Sequence, residues 1–251
     1  MDLSILAIII CIAFICALID SSLGMGYGTL MSPILLLLGF DIFLVVPSVL
    51  FSQIITGFSA SFLHHRFNNC NLKIHEKNFR IVLTLTILGV IASIISVFIA
   101  LNIPKLLIIT YTGLLVLAIG FILLLKKRFK YTPGTIEVFG ILSAFNKSIS
   151  GGGFGPVITA GQVISGRDAK ESIGVSIASE FAISIAGFTM YILLNGPINF
   201  LLPIILSISG VIATPLGTFG TKKIQNEEKA RMAIGSVCIL LGILILIKIL
   251  I

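Results

Sequence analysis

Charged residues are scarce in this chain, at 11% of its 251 residues, whereas a soluble domain has about a quarter. Hydrophobic residues reach 57%, and the mean hydropathy is +1.16. A composition so poor in charge excludes most cytosolic enzymes, disordered regulators and nucleic-acid-binding proteins. It predicts an all-α polytopic protein of the cell membrane, with the lipid bilayer as its surroundings and no second, soluble domain.

Motifs for chemistry are also missing. The four cysteines show no CxxC pair or zinc spacing, and no HExxH or Walker sequence occurs. We therefore expect no catalytic residue, no metal, no cofactor and no enzyme activity. Cys70 alone lies in a polar stretch, which predicts it as the accessible thiol. The start lacks the positive region of a signal peptide, so we expect the first apolar run to be a retained helix.

The net charge of +7 does not indicate a nucleic-acid partner, because the basic residues lie in short loops between apolar runs. Lys126-Lys127-Arg128-Phe129-Lys130 and Lys222-Lys223 are expected to anchor the membrane edge, as are His64 and His65. With eight simple crossings, one face carries eight Lys or Arg and the other seven. The positive-inside rule then leaves the orientation open.

Ten apolar segments predict about eight transmembrane helices, two of them followed by a short half-helix. Segments 28–39 and 152–165 are too short to cross a core of about 30 Å, and each follows a glycine cluster. Residues 3–39 and 135–165 are therefore each interpreted as a helix, a break and a half-helix. The other segments are 42–63, 81–100, 103–125, 169–194, 198–221 and 230–250.

An internal repeat organises the chain. Gly24-Met25-Gly26-Tyr27-Gly28 aligns with Gly151-Gly152-Gly153-Phe154-Gly155 at an offset of 127 residues, and the same offset aligns Gly39-Phe40-Asp41 with Gly166-Arg167-Asp168. We predict a four-helix repeat over 1–125, a connecting loop over 126–134 and a second four-helix repeat over 135–251. The sequence leaves parallel and inverted arrangements open.

The glycine clusters are the predicted substrate site. Paired, glycine-interrupted short segments in two repeats are typical of transporter sites, because a broken helix frees backbone groups that hydrocarbon cannot satisfy. The following half-helix points its positive end into the site, which favours an anion. Close packing of helices through small residues is the alternative interpretation.

Three ionisable residues fall inside apolar segments, where they commonly mark transport pathways. Asp20 and Lys147 each lie four residues before a glycine cluster, and Glu180 aligns with Gln53. We expect Lys147 to attract the anion and Asp20 or Glu180 to take up a proton. The alternatives are a structural ion pair between Asp20 and Lys147, and a Glu180 carboxylate bonded to helix hydroxyls. Ser148 and Gln162 are further candidates for the cavity lining.

These residues together resemble the sulfite exporter TauE/SafE family. The resemblance runs over about 5–250 and is strongest in Leu18 to Gly28 and in Asn146 to Pro156, with His64-His65-Arg66 after the second helix. It implies a permease with two four-helix repeats that moves sulfite, a sulfonate or a related oxyanion. Met25 and Tyr27 interrupt the glycine run of the first half, so their side chains are expected to shape the pocket.

The predicted function is a proton-coupled permease for a small sulfur-containing anion. Its substrate-binding residues are Gly24, Gly26, Tyr27, Gly28, Lys147, Ser148, Gly151, Gly152, Gly153, Gly155 and Gln162, and its proton-coupling residues are Asp20 and Glu180. The alternatives are a permease for another metabolite or a cation, and a membrane scaffold without transport. The sequence is compatible with a homo-oligomer and leaves the transport direction open.

Overall fold

A computed structural model describes residues 3–124, 133–164, 167–221 and 227–250. They form ten helices and no strand: α1 (Leu3–Leu23), α2 (Tyr27–Leu37), α3 (Ile42–Arg66), α4 (Lys77–Asn102), α5 (Lys105–Leu124), α6 (Pro133–Ser150), α7 (Phe154–Ile164), α8 (Ala169–Asn195), α9 (Leu201–Gly220) and α10 (Glu227–Leu250). Seven of them, all except α2, α6 and α7, are apolar and long enough to cross a membrane. The predicted all-helical membrane fold is confirmed. The anchors at Lys126 to Lys130 and Lys222-Lys223 lie outside the described residues.

The two short helices are where the sequence predicts half-helices. α2 and α7 have 11 residues each, which is about 16 Å of helix and half the thickness of the bilayer core. The next helix begins in the same way in both halves. The Asp41 carboxylate accepts from the Phe43 N–H at 2.9 Å to start α3, and the aligned Asp168 accepts from the Glu171 N–H at 3.0 Å to start α8.

Contacts between helices fix their relative directions. In the α4–α6 pair, Leu85 lies against Gly140 and Ser93 against Ser148, so the two helices run parallel. The order of contacts also makes α1 and α9 parallel, because Ala17 meets Gly210 and Ser21 meets Gly217.

The helices that the offset of 127 pairs run in opposite directions. Gln53 meets Glu180 and His64 meets Gly174, so α3 and α8 are antiparallel. Gly113 meets Ile245 and Gly120 meets Gly235, so α5 and α10 are antiparallel too. This is the relation of inverted repeats, whose two-fold axis lies in the membrane plane. The geometry therefore favours inversion, the arrangement that the sequence left open.

Inversion places the two hairpins on opposite faces. α6 enters from the face that holds the α3–α4 connection, and α7 returns to it. α1 enters from the other face and α2 returns there, where the Lys248 Nζ donates to the Leu36 carbonyl at 3.0 Å. We name the face with the α3–α4 and α7–α8 connections the basic face.

The hairpins change the charge count that eight simple crossings gave. Among the described residues, two Lys or Arg lie on the opposite face, Lys105 and Lys248, and eight lie on the basic face: Arg66, Lys73, Lys77, Arg80, Arg167, Lys170, Lys229 and Arg231. The expected near-equality was wrong because it treated each hairpin as a single crossing. The positive-inside rule now predicts that the basic face is cytoplasmic.

Candidate functional site

Glycines with left-handed backbone form both helix breaks. Gly24 and Gly26 have φ of 65° and 129°, and Gly151 and Gly153 have φ of 82° and 96°. Side chains rarely accept this conformation, so the chain turns there at glycine. After these turns, α2 begins at Tyr27 and α7 begins at Phe154, which are equivalent positions of the two halves.

The two breaks lie against each other. A Cβ on Gly152 would lie 2.7 Å from the Thr29 Cα, and a Cβ on Gly155 would lie 2.9 Å from the Met25 Cα. Only glycine permits so close an approach of two backbones. Hydrogen bonds join the breaks as well: the Gly153 N–H donates to the Thr29 Oγ1 at 3.1 Å, and the Thr159 Oγ1 donates to the Gly24 carbonyl at 2.7 Å.

The first turns of α2 and α7 differ in charge. At α2, the Asp20 carboxylate accepts from the Tyr27 N–H at 3.3 Å, so an acid already lies at the positive end of that helix. The equivalent residue before α7 is Lys147. No hydrogen bond found among the described residues uses the N–H groups of Phe154 and Gly155. Among the described residues, a carboxylate thus binds the first turn of α2, whereas none is seen to bind that of α7.

Lys147 belongs to a buried polar cluster. Its Nζ donates to the Glu180 Oε1 at 2.8 Å and also to the Gln53 Oε1, while the Gln53 Nε2 donates to the same Glu180 oxygen at 2.9 Å. Lys147 is fully buried and the Glu180 side chain is 8% exposed. The alternative of a Lys147–Asp20 ion pair is wrong, because Glu180 is the carboxylate bound by Lys147. Glu180 is held by an ammonium and an amide rather than by helix hydroxyls.

The remaining predicted residues lie at different distances from this cluster. Ser148 shares a 2.6 Å hydrogen bond with Ser93, and the Tyr27 hydroxyl shares one of 2.6 Å with Ser52. Both contacts are buried between helices. Gln162 lies at the far end of α7, where its Oε1 accepts from Arg167 at 2.9 Å. Gln162 thus binds the Arg167 guanidinium, and it lies three residues after Thr159, which contacts the first glycine break.

Two expectations about the α3 end are wrong. His64 is buried rather than interfacial, because its Nε2 lies 3.0 Å from the Ser21 carbonyl and its Nδ1 lies 3.2 Å from the Asn69 amide. Cys70 is 1% exposed, because it packs on Gly174, and burial raises the pKa of its thiol to about 12. Cys11 is the exposed cysteine, on α1.

Sequence reasoning missed three polar residues around these sites. Gln53 was noticed only as the repeat partner of Glu180, although an amide inside a membrane helix is itself a signal. Arg167 and Asn78 lie near the ends of apolar segments, where solvated residues are ordinary. The described residues contain no group of three or more His, Cys, Asp or Glu that could hold a metal ion.

Comparison with known proteins adds the family. The model of the sulfite exporter TauE/SafE family matches residues 9–245. The chain is 25% identical over 230 residues to the probable membrane transporter protein YtnM of Bacillus subtilis (strain 168). The aligned region covers 86% of this chain and 74% of that relative. No solved structure matches.

Proposed function

The chain belongs to the sulfite exporter TauE/SafE family of multi-pass membrane transporters, and we propose that it is a proton-coupled permease for a small sulfur oxyanion. The site lies where the half-helices α2 and α7 begin, beside Lys147 and Glu180. The observation that carries the proposal is the asymmetry of the two breaks. The first N–H of α2 donates to the Asp20 carboxylate, whereas Lys147 has the equivalent position seven residues before the start of α7.

Charge balance suggests how the proton is coupled. Lys147 is paired with Glu180 in this structure, so an arriving anion competes with that carboxylate for the ammonium. A proton on Glu180 removes the competition and leaves Lys147 to pair with the anion. One proton and one anion then enter together, and the buried cluster keeps its net charge. Neither step leaves an unpaired buried charge, and such a charge is costly in any protein interior.

The family supplies the chemical class, and the site is compatible with it. Sulfite and sulfonates present several oxygens on one sulfur, which backbone N–H groups and an ammonium can bind together. The nearby donors are the first-turn N–H groups of Phe154 and Gly155 and the hydroxyl of Thr29, since the Thr159 hydroxyl already donates to the Gly24 carbonyl.

Radiolabelled sulfite uptake into proteoliposomes tests the proposal, with and without an inward proton gradient. We expect accumulation that follows the gradient, and none in a Lys147→Met/Glu180→Gln variant that still folds. Equal flux with and without the gradient would remove proton coupling. No sulfite, sulfonate or thiosulfate flux from folded protein would contradict the substrate class. Inhibition by cations rather than anions would favour the cation permease, and full cellular function without Asp20 and Lys147 would favour the scaffold.

A further inference from the structure

A groove opens on the basic face, between the α3–α4 connection and the start of α8. Its volume is about 480 Å³, and its lining includes His65, Lys73, Lys170, Cys70 and Glu171. The charged lining is mixed, because Lys73 and Lys170 lie beside the carboxylates of Asp168 and Glu171. The groove is polar and open to water, so a small anion in solution can reach the side chains that line it.

Arg167 does not line this groove itself; it lies next to Glu171, which does, and its side chain is largely buried. Its side chain is 12% exposed, and the nearest groove-lining carboxylate, that of Glu171, is 3.8 Å from its Nη2. This exceeds hydrogen-bond distance, so Glu171 neutralises the guanidinium only loosely. Glu171 is itself about half exposed, which leaves it free to move toward water.

Neutral amides hold the guanidinium in place. The Arg167 Nη1 donates to the Gln162 Oε1 at 2.9 Å, and the Nη2 donates to the Asn78 Oδ1 at 2.5 Å. An arginine has five N–H donors, and these two bonds fix the plane of the fork without compensating its charge. Burial lowers the pKa of the guanidinium, yet an arginine stays charged at neutral pH. A buried, oriented and weakly paired arginine suits bidentate binding of an oxyanion.

Polar side chains connect Arg167 to the central cluster. The Gln162 Nε2 donates to the Ser176 Oγ at 3.2 Å, and Ser176 precedes Glu180 by one turn of α8. The first half has no such series, since its equivalent residues are Phe40, Leu35 and Val49, and the latter two are fully buried. The polar route toward Lys147 and Glu180 thus starts from the basic face.

We propose that Arg167, held by Asn78 and Gln162 beside the groove residue Glu171, is a second, outer binding site for the transported oxyanion on the basic face. The proposal rests on the anion-permease function above. The anion replaces Glu171 as the partner of the guanidinium and reaches Lys147 along Gln162 and Ser176. Arg167 contributes to capture of the anion, and Lys147 to its passage.

Sulfite transport kinetics in proteoliposomes test the outer site. We expect Arg167→Gln to raise KM about tenfold with the maximal rate within twofold, and Arg167→Lys to raise it less. Glu171→Gln removes the competing carboxylate and should lower KM two- to threefold. The matched control is Arg80→Gln, which removes an exposed arginine of the same face and should leave KM within twofold.

Two kinetic results would overturn the proposal. A lower maximal rate with unchanged KM in Arg167→Gln would make Arg167 a structural residue. An equal rise of KM in Arg80→Gln would reduce the effect to the general charge of the face.

A binding measurement separates this proposal from the proposed function. We expect sulfite or sulfate to raise the melting temperature of the purified wild type, with a half-maximal concentration about tenfold higher in Arg167→Gln. Absence of flux with this binding intact contradicts transport of these anions and leaves the outer site standing. Absence of an anion-dependent shift in the wild type, or an identical shift in the variant, overturns the outer site.

Discussion

Lys147→Met should destabilise the protein strongly, because it removes one partner from a buried ion pair. Met matches the length of the lysine stem but leaves the Glu180 carboxylate with the Gln53 amide alone. Breaking such a pair costs about 3–5 kcal/mol. For a chain of this size, this corresponds to a fall in melting temperature of about 6–20 °C. The double variant Lys147→Met/Glu180→Gln removes both charges and should recover most of the loss.

A thiol-reactive dye can follow this unfolding in detergent, since three of the four cysteines are buried. The control is Lys105→Met, which breaks the pair with Asp41 that is about half exposed on both sides. That pair should contribute less than about 1 kcal/mol. Equal melting temperatures for Lys147→Met and the wild type, or no recovery in the double variant, would refute a stabilising buried pair.

Three further predictions concern packing, orientation and the Cys70 thiol. Gly152→Ala should prevent folding, because the added Cβ would lie 2.7 Å from backbone atoms of Gly28 and Thr29. The control Gly134→Ala, whose Cβ would have nothing within 4 Å, should yield as much folded protein as the wild type. Size-exclusion profiles in detergent measure the folded yield of both variants. In a Cys11→Ser background, an impermeant maleimide should label Asn199→Cys on intact cells and Asn71→Cys only after permeabilisation; the reverse would contradict a cytoplasmic basic face. Cys70 should resist the same maleimide at pH 8, because only about one part in ten thousand of a thiol with a pKa of about 12 is thiolate at that pH. Its labelling rate should increase as the pH rises. Rapid labelling of Cys70 at pH 8 would contradict its burial.

The apolar segments and glycine clusters were sufficient to predict the ten helices and both breaks. Their bounds fall within a few residues of the structure, because a membrane helix needs a continuous apolar run and a break needs glycine. The inverted arrangement was out of reach, since it depends on which helices touch. Hydropathy is the same for a helix that runs in either direction.

The Lys147 partner was out of reach for a similar reason. The sequence placed Asp20, Lys147 and Glu180 inside apolar segments but could not rank the distances between them. The contact between α3 and α8 brings Gln53 and Glu180 together, and α6 adds Lys147 to them. Burial of His64 and Cys70 likewise follows from tertiary packing against α1, α8 and the α3–α4 connection, which no local pattern encodes.

Differences between the repeats locate the chemistry better than their similarities. Shared features, such as the left-handed glycines and the Asp41 and Asp168 caps, form the same backbone twice. A symmetric pair of breaks binds equally on both faces and gives an anion no preferred position.

Three differences in charge between aligned residues break this symmetry. Lys147 replaces an acid, Glu180 replaces an amide and Arg167 replaces a phenylalanine, and all three lie in the second half. In the proposed mechanism, the second half therefore carries the charges that bind the anion and take up the proton that enters with it. Exchanging Asp20 and Lys147 between the two breaks tests this reasoning: the folded double variant should lose sulfite uptake although its composition is unchanged, and undiminished uptake would show that the position of the charges is irrelevant.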